Sequence, residues 1–449
     1  MTLPLQATED PLAFASKAKE AGAELLEIRG DITPLVSTFV SPLPLIISPR
    51  RTGDALLRAL LPAYVDLELG EEAAVPSGTR IIRSFHDHTG TPAATDLRSI
   101  VTRLLGLNPD VVKIATAISR YADIERLSEL RNLLPKDRRV ILGMGTKAHI
   151  SRMLSPFQNV LTYTYLDGKP SAPGQVPLFL HRKTTHCRTP RVFGILSGLD
   201  VQSLSPVIHN ALFEQHGIDA LYTSFPADDL EDTFSFITRN NISGFSVTTP
   251  FKQKIIEKID ELDPLAESLQ SVNTIVSENG RYKGYNTDVT GLEEGYAFLK
   301  SASSVAILGS GGVVPAIIHA CRELGVQDIC VFARNAQARE VLANRFSVRC
   351  AALSALEQAT PDAMICVIND DVFFPLPKAK KGAHAIDLRY GKATPFLNEA
   401  RQKGYRTHDG IPMLLHQALA QFRYFADITP TESDFQMLLN LFPHSYGIQ

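Results

Sequence analysis

The sequence has no tryptophan, only five cysteines, no excess of one charge and no apolar run long enough to cross a membrane. The cysteines (Cys187, Cys321, Cys330, Cys350 and Cys366) lack metal-like spacing and lie mostly in apolar runs, which favours buried thiols and a reducing cytoplasm. A formal net charge of −3 with scattered basic residues predicts neither a nucleic-acid nor a membrane partner. The N-terminus resembles neither a signal peptide nor a transit peptide. With 449 residues, 44% of them hydrophobic, the chain is expected to form two or three globular domains.

The stretch SSVAILGSGGVVPA, residues 303–316, predicts a dinucleotide site. Its apolar run fits a buried parallel strand, and Gly309, Gly311 and Gly312 follow at once. An apolar helical pattern begins at Val314, which stands where a third glycine is usual. Glycines let the backbone approach a pyrophosphate, and the helix N-terminus offers free N–H groups and a positive dipole end. A bare turn between a strand and a helix is the alternative.

The next apolar strand, residues 328–332, ends at Ala333-Arg334-Asn335 and indicates which dinucleotide binds. An NAD site would need an acidic residue there to bond the ribose hydroxyls. Arg334 suits a 2′-phosphate instead, so the sequence predicts NADP(H) as the cofactor. A solvated arginine at a strand end is the alternative.

Residues 1–178 alternate short apolar strands with helical or irregular connections, which predicts a parallel sheet. Eight strand-like units favour a (β/α)8 barrel, although the segment is short for that fold. Asp31–Pro42 and Glu71–Gly78 show little helical pattern, so we expect a pared barrel that lacks some helices. The predicted strands are Leu3–Leu5, Leu25–Ile28, Leu43–Ser48, Ala63–Leu67, Arg80–Ser84, Val111–Ala115, Val140–Leu142 and Val160–Tyr165.

Polar residues cluster at the C-terminal ends of these strands, where barrel enzymes keep their chemistry. Lys113 lies inside the sixth strand, VVKIAT, and is expected to point into the barrel. Desolvation would lower its pKa and make it a Schiff-base nucleophile, whereas a lysine that reaches solvent is the alternative. The other polar groups at strand ends are Glu27, Arg29, Arg50, Asp66, Glu68 and His86.

Together these residues resemble the type I 3-dehydroquinate dehydratase family. The motifs that carry the resemblance are Glu27-Ile-Arg29-Gly-Asp31, Arg50, SFHD around His86, VVKIA around Lys113, GMGTKAHISR ending at Arg152, and SAPGQ from Ser171 to Gln175.

The resemblance implies a role for each matched residue. Lys113 would form an imine with the substrate ketone, and His86 would remove the adjacent proton and later protonate the leaving hydroxyl. Arg152 would bind the substrate carboxylate. The remaining implied substrate-binding residues are Glu27, Arg29, Arg50, Ser171 and Gln175, the last two on a loop that closes over the site.

After a predicted polar linker at residues 179–190, a second α/β unit begins. Ser203 and Ser205 precede a helix, where hydroxyls suit N-capping or carboxylate binding. Lys252 follows a strand-like segment, and Asp288 follows another 36 positions later. These two are the candidate acid/base pair, although each alone is also typical of a surface charge.

Six motifs in residues 191–425 resemble shikimate dehydrogenase: SLSPVIHN, SVTTPFK, SVNTIV, GYNTD, GSGG and DGIPMLLHQALAQF. The resemblance implies that Lys252 and Asp288 manage the proton at the reacting oxygen, and that Tyr390 borders the nicotinamide. Two departures from the family pattern are Ser246, where asparagine is usual, and Asn369-Asp370-Asp371. The implied shikimate-binding residues are Ser203, Ser205, Thr248, Asn273, Asp288 and Gln417.

The sequence therefore predicts a barrel over residues 1–180, a substrate domain over 191–290 that is completed by helices in 411–449, and a Rossmann-type NADP domain over 291–410. The two resemblances imply a cytoplasmic, bifunctional enzyme whose partners are small molecules. It would convert 3-dehydroquinate to 3-dehydroshikimate and reduce this product to shikimate. Two alternatives stay open: a dehydrogenase that also acts on quinate, and a non-catalytic regulator that senses these metabolites.

Overall fold

The structure is a computed structural model that describes residues 1–5, 10–31, 40–50, 55–166, 170–201, 203–368, 374–390 and 394–442. The chain divides into two compact units. The first unit consists of Met1–Gly194, Leu199–Gln202 and His216–Asn240. The second consists of Ile195–Gly198, Ser203–Gln215 and Asn241–Gln449.

Within the described residues, seven strands form the main sheet of the first unit in chain order, and neighbouring strands are parallel. They are β1 (Thr2–Pro4), β2 (Leu25–Arg29), β3 (Leu45–Ser48), β4 (Tyr64–Glu68), β5 (Arg80–Asp87), β6 (Val111–Ala117) and β7 (Arg139–Met144). The helices of this part of the chain are α1 (Pro11–Glu20), α2 (Ala55–Leu60), α3 (Ala94–Leu105), α4 (Tyr121–Glu129), α5 (His149–Met153), α6 (Ser155–Gln158) and α7 (Leu178–Arg182).

The sheet curls so that β1 meets the segment after β7. Thr2 forms a bridge with Tyr163, and its N–H donates to the carbonyl of Thr162 at 2.8 Å. The predicted eighth strand over Val160–Tyr165 is mostly wrong, since β8 covers only Thr164–Tyr165 and pairs with β9 (Val176–Pro177). Residues 69–79, all of which are described, contain no helix, as the pared barrel predicts. The other predicted gap, Asp31–Pro42, lies largely outside the described residues.

Alternate residues of the strands belong to two different cores, as the two-residue period of a strand requires. Leu45 and Ile47 pack with the residues of α1 and α2, whereas Ile46 joins the interior cluster with Ile82 and Val140. Val111 and Ala115 of β6 also belong to the interior cluster. Lys113 lies between these two on the same face of β6, so its side chain points into the barrel as predicted.

The prediction of a polar linker at residues 179–190 is wrong for most of its length. The segment begins inside α7, and it buries Leu180, His181, Thr184 and Cys187. Leu180 belongs to a core cluster with Met153. This stretch is therefore part of the packed first unit.

The first unit also contains β11 (Ala220–Ala227) and α9 (Leu230–Arg239). The ring of Tyr121 at the start of α4 is fully buried, with its centroid 5.0 Å from that of Phe236 and 6.4 Å from that of Phe225. The Tyr121 hydroxyl donates to the carbonyl of Pro226 at 3.1 Å. These contacts attach residues 216–240 to the helical layer outside the barrel.

The second unit begins with residues 195–198 of β10 (Arg191–Gly198), which open a mixed sheet in the order β10, β12, β14, β15 and β13. Strand β14 is antiparallel to both β12 and β15. The remaining bounds of this part are α8 (Ser205–Gln215), β12 (Gly244–Val247), β13 (Glu261–Leu262), α10 (Pro264–Leu269), β14 (Thr274–Glu278), β15 (Arg281–Tyr285) and α11 (Asp288–Gly295).

The rest of the second unit contains a parallel sheet in the order β18, β17, β16, β19, β20 and β21. The strand order reverses beside β16, which creates a crevice at the carboxyl end of that strand. The elements are β16 (Ser304–Leu308), α12 (Val314–Glu323), β17 (Asp328–Ala333), α13 (Ala336–Phe346), β18 (Arg349–Ala352), β19 (Ala363–Cys366), β20 (His384–Asp387), α14 (Pro395–Gln402) and β21 (Arg406–His408).

Two C-terminal helices, α15 (Ile411–Ala426) and α16 (Glu432–Asn440), follow this sheet. Helix α15 packs against α11 at close range because two glycines of α11 face it. A Cβ atom on Gly291 would lie 2.8 Å from the Cβ atom of Gln417, and one on Gly295 would lie 2.8 Å from the amide nitrogen of Met413. Helix α15 therefore lies directly against α11, the helix that begins at Asp288, whereas the predicted substrate domain completed by residues 411–449 stays a prediction.

Candidate active sites

A cavity of about 370 Å³ opens at the C-terminal ends of the barrel strands. Its lining also contains Glu68, Met144 and Tyr163. The curled parallel sheet and the segments that follow its strands bring residues distant in the sequence to this one place. All the residues that the sequence predicted for the first site line it: Glu27, Arg29, Arg50, His86, Lys113, Arg152, Ser171 and Gln175.

Glu68 orients His86 in this cavity. The Nδ1 atom of His86 lies 2.6 Å from Oε2 of Glu68, and the backbone N–H of His86 donates to Oε1 at 2.8 Å. Burial lowers the pKa of His86 below its ordinary value, and the Lys113 charge lowers it further, although Glu68 opposes the shift. At neutral pH the imidazole is therefore uncharged. With Nδ1–H donated to Glu68, Nε2 is left with a lone pair that can accept a proton.

Lys113 forms a buried ion pair with Asp66. The Nζ atom of Lys113 lies 2.7 Å from Oδ2 of Asp66, and the two residues are 5% and 0% exposed. Burial alone would lower the pKa of Lys113, but the negative charges of Asp66 and Glu27 and the hydrogen bond to Asp66 raise it above its ordinary value. The predicted lowering is therefore wrong, because Asp66 stabilises the ammonium form. Lys113 and Arg50 in turn hold the pKa of Asp66 at about 2 against the effect of burial.

Arg152 is a buried cation that no acid of the described residues pairs with. Its guanidinium is bound to the protein through Nε, which donates to the carbonyl of Gly143 at 2.7 Å. Burial lowers the pKa of Arg152 to about 10, so the group stays charged at neutral pH. A buried charge without a partner is costly, and a substrate carboxylate in the cavity would supply the partner.

The loop that carries Ser171 and Gln175 is held by its own hydrogen bonds. Oε1 of Gln175 accepts from the backbone N–H of Ser171 at 2.9 Å, from the Ser171 hydroxyl at 3.1 Å and from the N–H of Ala172 at 3.2 Å. The glutamine thus fixes the loop at the rim of the cavity.

The second unit brings Lys252, Asp288 and Asn273 into direct contact. Nζ of Lys252 lies 2.5 Å from Oδ2 of Asp288, and Nδ2 of Asn273 donates to Oδ1 of the same carboxylate at 2.9 Å. Asp288 is the first residue of α11, and Asn273 immediately precedes β14. The helix start and the strand start therefore place the Asp288 carboxylate and the Asn273 amide beside the Lys252 ammonium, and the role of Lys252 and Asp288 in proton transfer stays a prediction.

The other predicted substrate residues of this unit have contacts of their own. The hydroxyl of Ser203 lies 3.0 Å from that of Ser205, and it accepts from the N–H of Ser205 at 3.1 Å. Gln417 lies on α15 and packs against Gly291 of α11. Gly291 stands one helical turn after Asp288. The backbone N–H of Thr248 donates to the carbonyl of Leu196 at 3.0 Å.

Tyr390 lies beside the serine pair. Leu204 stands between Ser203 and Ser205, and its backbone N–H donates a hydrogen bond to the hydroxyl oxygen of Tyr390. Burial raises the pKa of Tyr390, and this hydrogen bond opposes the rise. A residue that follows β20 of the parallel sheet therefore borders the start of α8. The second unit thereby connects the predicted cofactor side to the predicted substrate side.

The glycine turn after β16 has the conformation that a phosphate site needs. Gly309 has a φ of +116°, and a Cβ atom there would lie 2.7 Å from a methyl group of Val367, so only glycine fits. Gly311 faces open space, which leaves its backbone free to be approached. Gly312 accepts a hydrogen bond at its carbonyl from the Ser271 hydroxyl at 3.2 Å.

A cavity of about 330 Å³ adjoins this turn and contains Ser310, Gly311 and Asn335 in its lining. Arg334 is exposed at the end of β17, directly before Asn335. These residues fit a dinucleotide whose pyrophosphate meets the glycine turn and whose adenosine 2′-phosphate meets the strand end.

Two family models match the chain. The model of type I 3-dehydroquinase matches residues 1–188, and the model of the shikimate dehydrogenase substrate binding domain matches residues 197–275. A bifunctional 3-dehydroquinate dehydratase/shikimate dehydrogenase from Arabidopsis thaliana is 29% identical over 94% of this chain and 81% of its own length. The chain belongs to the family that joins a type I 3-dehydroquinase to a shikimate dehydrogenase.

Relatives of the dehydrogenase part alone are similar over nearly their whole length. A shikimate dehydrogenase (NADP(+)) from Trichormus variabilis is 32% identical over 52% of this chain and 90% of its own. A crystal structure of shikimate 5-dehydrogenase from Thermus thermophilus, in complex with NADP(H) and shikimate, is 26% identical with a TM-score of 0.50. That likeness covers 56% of this chain and 98% of the other.

The chain departs from the shikimate dehydrogenase pattern at two places. Ser246 is buried, and its hydroxyl donates to Oε1 of Gln421 at 2.8 Å. Nε2 of Gln421 donates to the carbonyl of Asn273 and to the hydroxyl of Thr274, each at 3.1 Å. Ser246 therefore supports Asn273 through Gln421. The second departure, residues 369–371, lies outside the described residues.

Several residues of both family sites were not assigned by the sequence analysis. Asp66 and Glu68 were placed at a strand end without a role, although their two-residue spacing puts both on one face of β4. Gln421 follows Gln417 by one helical turn on α15, which is the signal that could have identified it.

Among the described helices of this bifunctional family member, none combines the length and the apolar character needed to cross a bilayer.

Proposed function

We propose that the chain dehydrates 3-dehydroquinate in the first unit and reduces the resulting 3-dehydroshikimate to shikimate with NADPH in the second. The observation that carries the first activity is one cavity that contains a lysine paired with Asp66 and a neutral histidine paired with Glu68. The contact between Lys252 and Asp288 carries the second. We propose residues 1–180, 191–290 with 411–449, and 291–410 as the corresponding functional regions.

In the first reaction, the Lys113 nitrogen condenses with the substrate ketone, and one water leaves. An ammonium and a protonated imine carry the same positive charge, so Asp66 can stabilise the lysine before and after the bond forms. The Nε2 atom of His86 accepts the proton next to the imine carbon. The same nitrogen then returns a proton to the departing hydroxyl, and hydrolysis of the imine releases the product.

Substrate position in this cavity follows from Arg152. We assign the substrate carboxylate to this cation, because it is buried and has no acidic partner among the described residues. Ser171 and Gln175 are assigned to the ring hydroxyls on the loop side. Glu27 accepts from the Ser48 hydroxyl at 3.2 Å, and Arg29 pairs with Asp31 at 2.7 Å, so these two groups support the wall of the cavity.

In the second reaction, NADPH supplies the hydride when it is bound. The Lys252 ammonium delivers a proton to the substrate oxygen on which negative charge develops. Asp288 and Asn273 hold that ammonium in place through the contacts described above. Gly309, Gly311 and Gly312 would hold the pyrophosphate, and the exposed cation Arg334 would meet the 2′-phosphate.

All five cysteines are free thiols, which supports the predicted reducing cytoplasm as the location. The Arabidopsis relative is described as chloroplastic.

Reductive trapping tests the first activity. Borohydride added with 3-dehydroquinate should fix the ligand covalently on Lys113, as peptide mass spectrometry would locate. Lys113→Ala should abolish dehydration and keep reduction of 3-dehydroshikimate with NADPH near the unsubstituted rate. A label on another residue, or no label at all in an active enzyme, would contradict the proposed role of Lys113.

A further inference from the structure

We infer that Asp228 is a positioning residue for the dehydratase site, although it lies in the region matched to the shikimate dehydrogenase substrate binding domain. Oδ1 of Asp228 lies 2.5 Å from Nζ of Lys147, and both residues belong to the first compact unit. The inference rests on the dehydratase activity proposed above. It concerns how the wall of that site is held, not which groups react.

Lys147 occupies the turn between β7 and α5, and this turn joins two parts of the cavity wall. Met144, at the end of β7, lines the cavity on one side of the turn, and Arg152 in α5 lines it on the other. The Lys147 side chain is 7% exposed and also donates to the carbonyl of Ser119 at 2.8 Å. Ser119 follows β6, the strand of Lys113. One ammonium therefore ties the turn after β7 to the loop after β6.

The same turn supports the loop that closes the cavity. The N–H of Gly145 donates to the carbonyl of Pro173 at 3.1 Å. A Cβ atom on Gly174 would lie 2.4 Å from the carbonyl oxygen of Gly145, so the two backbones are in close contact. Pro173 and Gly174 stand between Ser171 and Gln175, the loop residues of the cavity. A shift of the turn would therefore move the loop.

The acidic residues at the start of α9 fix the backbone next to Asp228 and thereby the position of its carboxylate. Asp229 caps α9 by accepting from the N–H groups of Glu231 at 2.8 Å and Asp232 at 3.3 Å, which fixes the residue next to Asp228. Asp232 accepts from the N–H of Tyr121 at 2.7 Å, after the Ser119 loop. Two carboxylates of one helix start thus hold the segments that follow β6 and β7.

The consequence for function is specific. Without the Asp228 carboxylate, Lys147 keeps the Ser119 carbonyl but has no other acidic partner among the described residues. Because the Asp228 side chain is 55% exposed, the ammonium is expected to move toward the solvent that Asp228 reaches. The turn would then move with respect to Arg152 and the loop. Lys113, His86, Asp66 and Glu68 lie on other strands and would keep their geometry.

The test compares Asp228→Asn with Asp228→Glu and with a matched control, Glu125→Gln. Glu125 of α4 pairs with Arg239 of α9 at 2.9 Å, so the control removes an ion pair of the same segment that does not involve Lys147. Dehydratase kcat and KM are measured on the full chain for all variants. Dehydrogenase activity reports the folded fraction of the second unit, and borohydride trapping at saturating substrate counts the competent dehydratase sites of the first.

We expect Asp228→Asn to raise the dehydratase KM about tenfold with kcat within about threefold, the pattern of lost binding geometry with intact chemistry. Asp228→Glu should recover most of the loss, and Glu125→Gln should match the unsubstituted enzyme. An unchanged KM in Asp228→Asn would overturn the inference. So would an equal loss in Glu125→Gln, or a loss explained by fewer trapped sites at normal KM. Absence of dehydration by the unsubstituted chain would instead overturn the proposed function.

Discussion

The buried pair of Lys113 and Asp66 gives a prediction whose size follows from the structure. In Asp66→Asn the ammonium loses its carboxylate, and removal of one member of a buried ion pair costs about 3–5 kcal/mol in the free energy of unfolding. The lysine can escape this cost by losing its proton. Deprotonation of a lysine with an ordinary pKa of 10.5 costs about 4.8 kcal/mol at pH 7, at about 1.36 kcal/mol per pH unit. This value is the upper limit of the loss, because the buried lysine can always become neutral. At pH 7 we therefore expect Asp66→Asn to lower the free energy of unfolding by between about 3 and 4.8 kcal/mol through this electrostatic effect.

The same reasoning predicts how the loss depends on pH. With Asp66 gone, Glu27 is the remaining acid that opposes the effect of burial on Lys113, and we expect burial to prevail and the pKa of Lys113 to fall below its unfolded value. The unfolded chain then binds more protons, so the stability of Asp66→Asn rises with pH up to the unfolded pKa. In the unsubstituted chain the pKa is raised, so this group's contribution is fully present at both pH 7 and pH 9. At pH 9 the electrostatic loss should therefore fall to about 2 kcal/mol or less.

Urea unfolding followed by far-ultraviolet circular dichroism measures this loss, since the chain has no tryptophan for fluorescence. The transition of the first unit is compared at pH 7 and pH 9 for the unsubstituted chain and Asp66→Asn. The double variant Asp66→Asn with Lys113→Met should recover most of the stability, because it leaves no buried charge at this position. An equal loss at both pH values, without recovery in the double variant, would refute the ion-pair explanation.

Three further predictions concern the reactions. The acidic limb of dehydratase kcat/KM should have its midpoint below pH 6.5, the ordinary histidine value, because burial lowers the pKa of His86; a midpoint above pH 7 in a pH–rate profile would contradict its role as a neutral base. Arg334→Ala should weaken NADPH binding by about 1.5–3 kcal/mol and NADH binding much less; equal losses in fluorescence titrations would show that it does not contact the 2′-phosphate. Lys252→Ala and Asp288→Asn should each lower the dehydrogenase kcat, and the double variant should be little worse than the worse single one. Additive effects confined to KM in steady-state kinetics would assign both residues to substrate binding alone.

The strands were predictable because they are short apolar runs, as is typical of parallel strands that are buried on both faces. Val111 to Ala115 is apolar except for Lys113, and the two-residue period of a strand puts Lys113 on the same face as Val111 and Ala115. The eighth strand was overpredicted because Val160–Tyr165 is equally apolar, yet most of it packs without ladder pairing. An apolar run indicates burial, and burial alone does not decide between a strand and a packed loop.

The electrostatics of the sites were less predictable because they depend on partners distant in sequence. Lys113 was expected to have a lowered pKa, and Asp66, 47 positions earlier, reverses the direction. The contact of Lys147 with Asp228 spans 81 positions and crosses from one family match to the next. No local pattern marks either pair, since the register of the sheet and the packing of α9 create them.

The composition of the first unit has a consequence for how the chain is made. Its residues up to Gly194 leave the ribosome before those of the second unit begin, but its last segment, His216–Asn240, leaves after parts of the second unit have already emerged. At about 5–20 residues per second, the end of this segment is synthesised about 2–9 s after Gly194. During that interval the ring of Tyr121 lacks Phe225 and Phe236, and Lys147 lacks its carboxylate. Vectorial synthesis therefore exposes an apolar surface on the nascent barrel, and a translational pause before residue 240 would prolong that exposure.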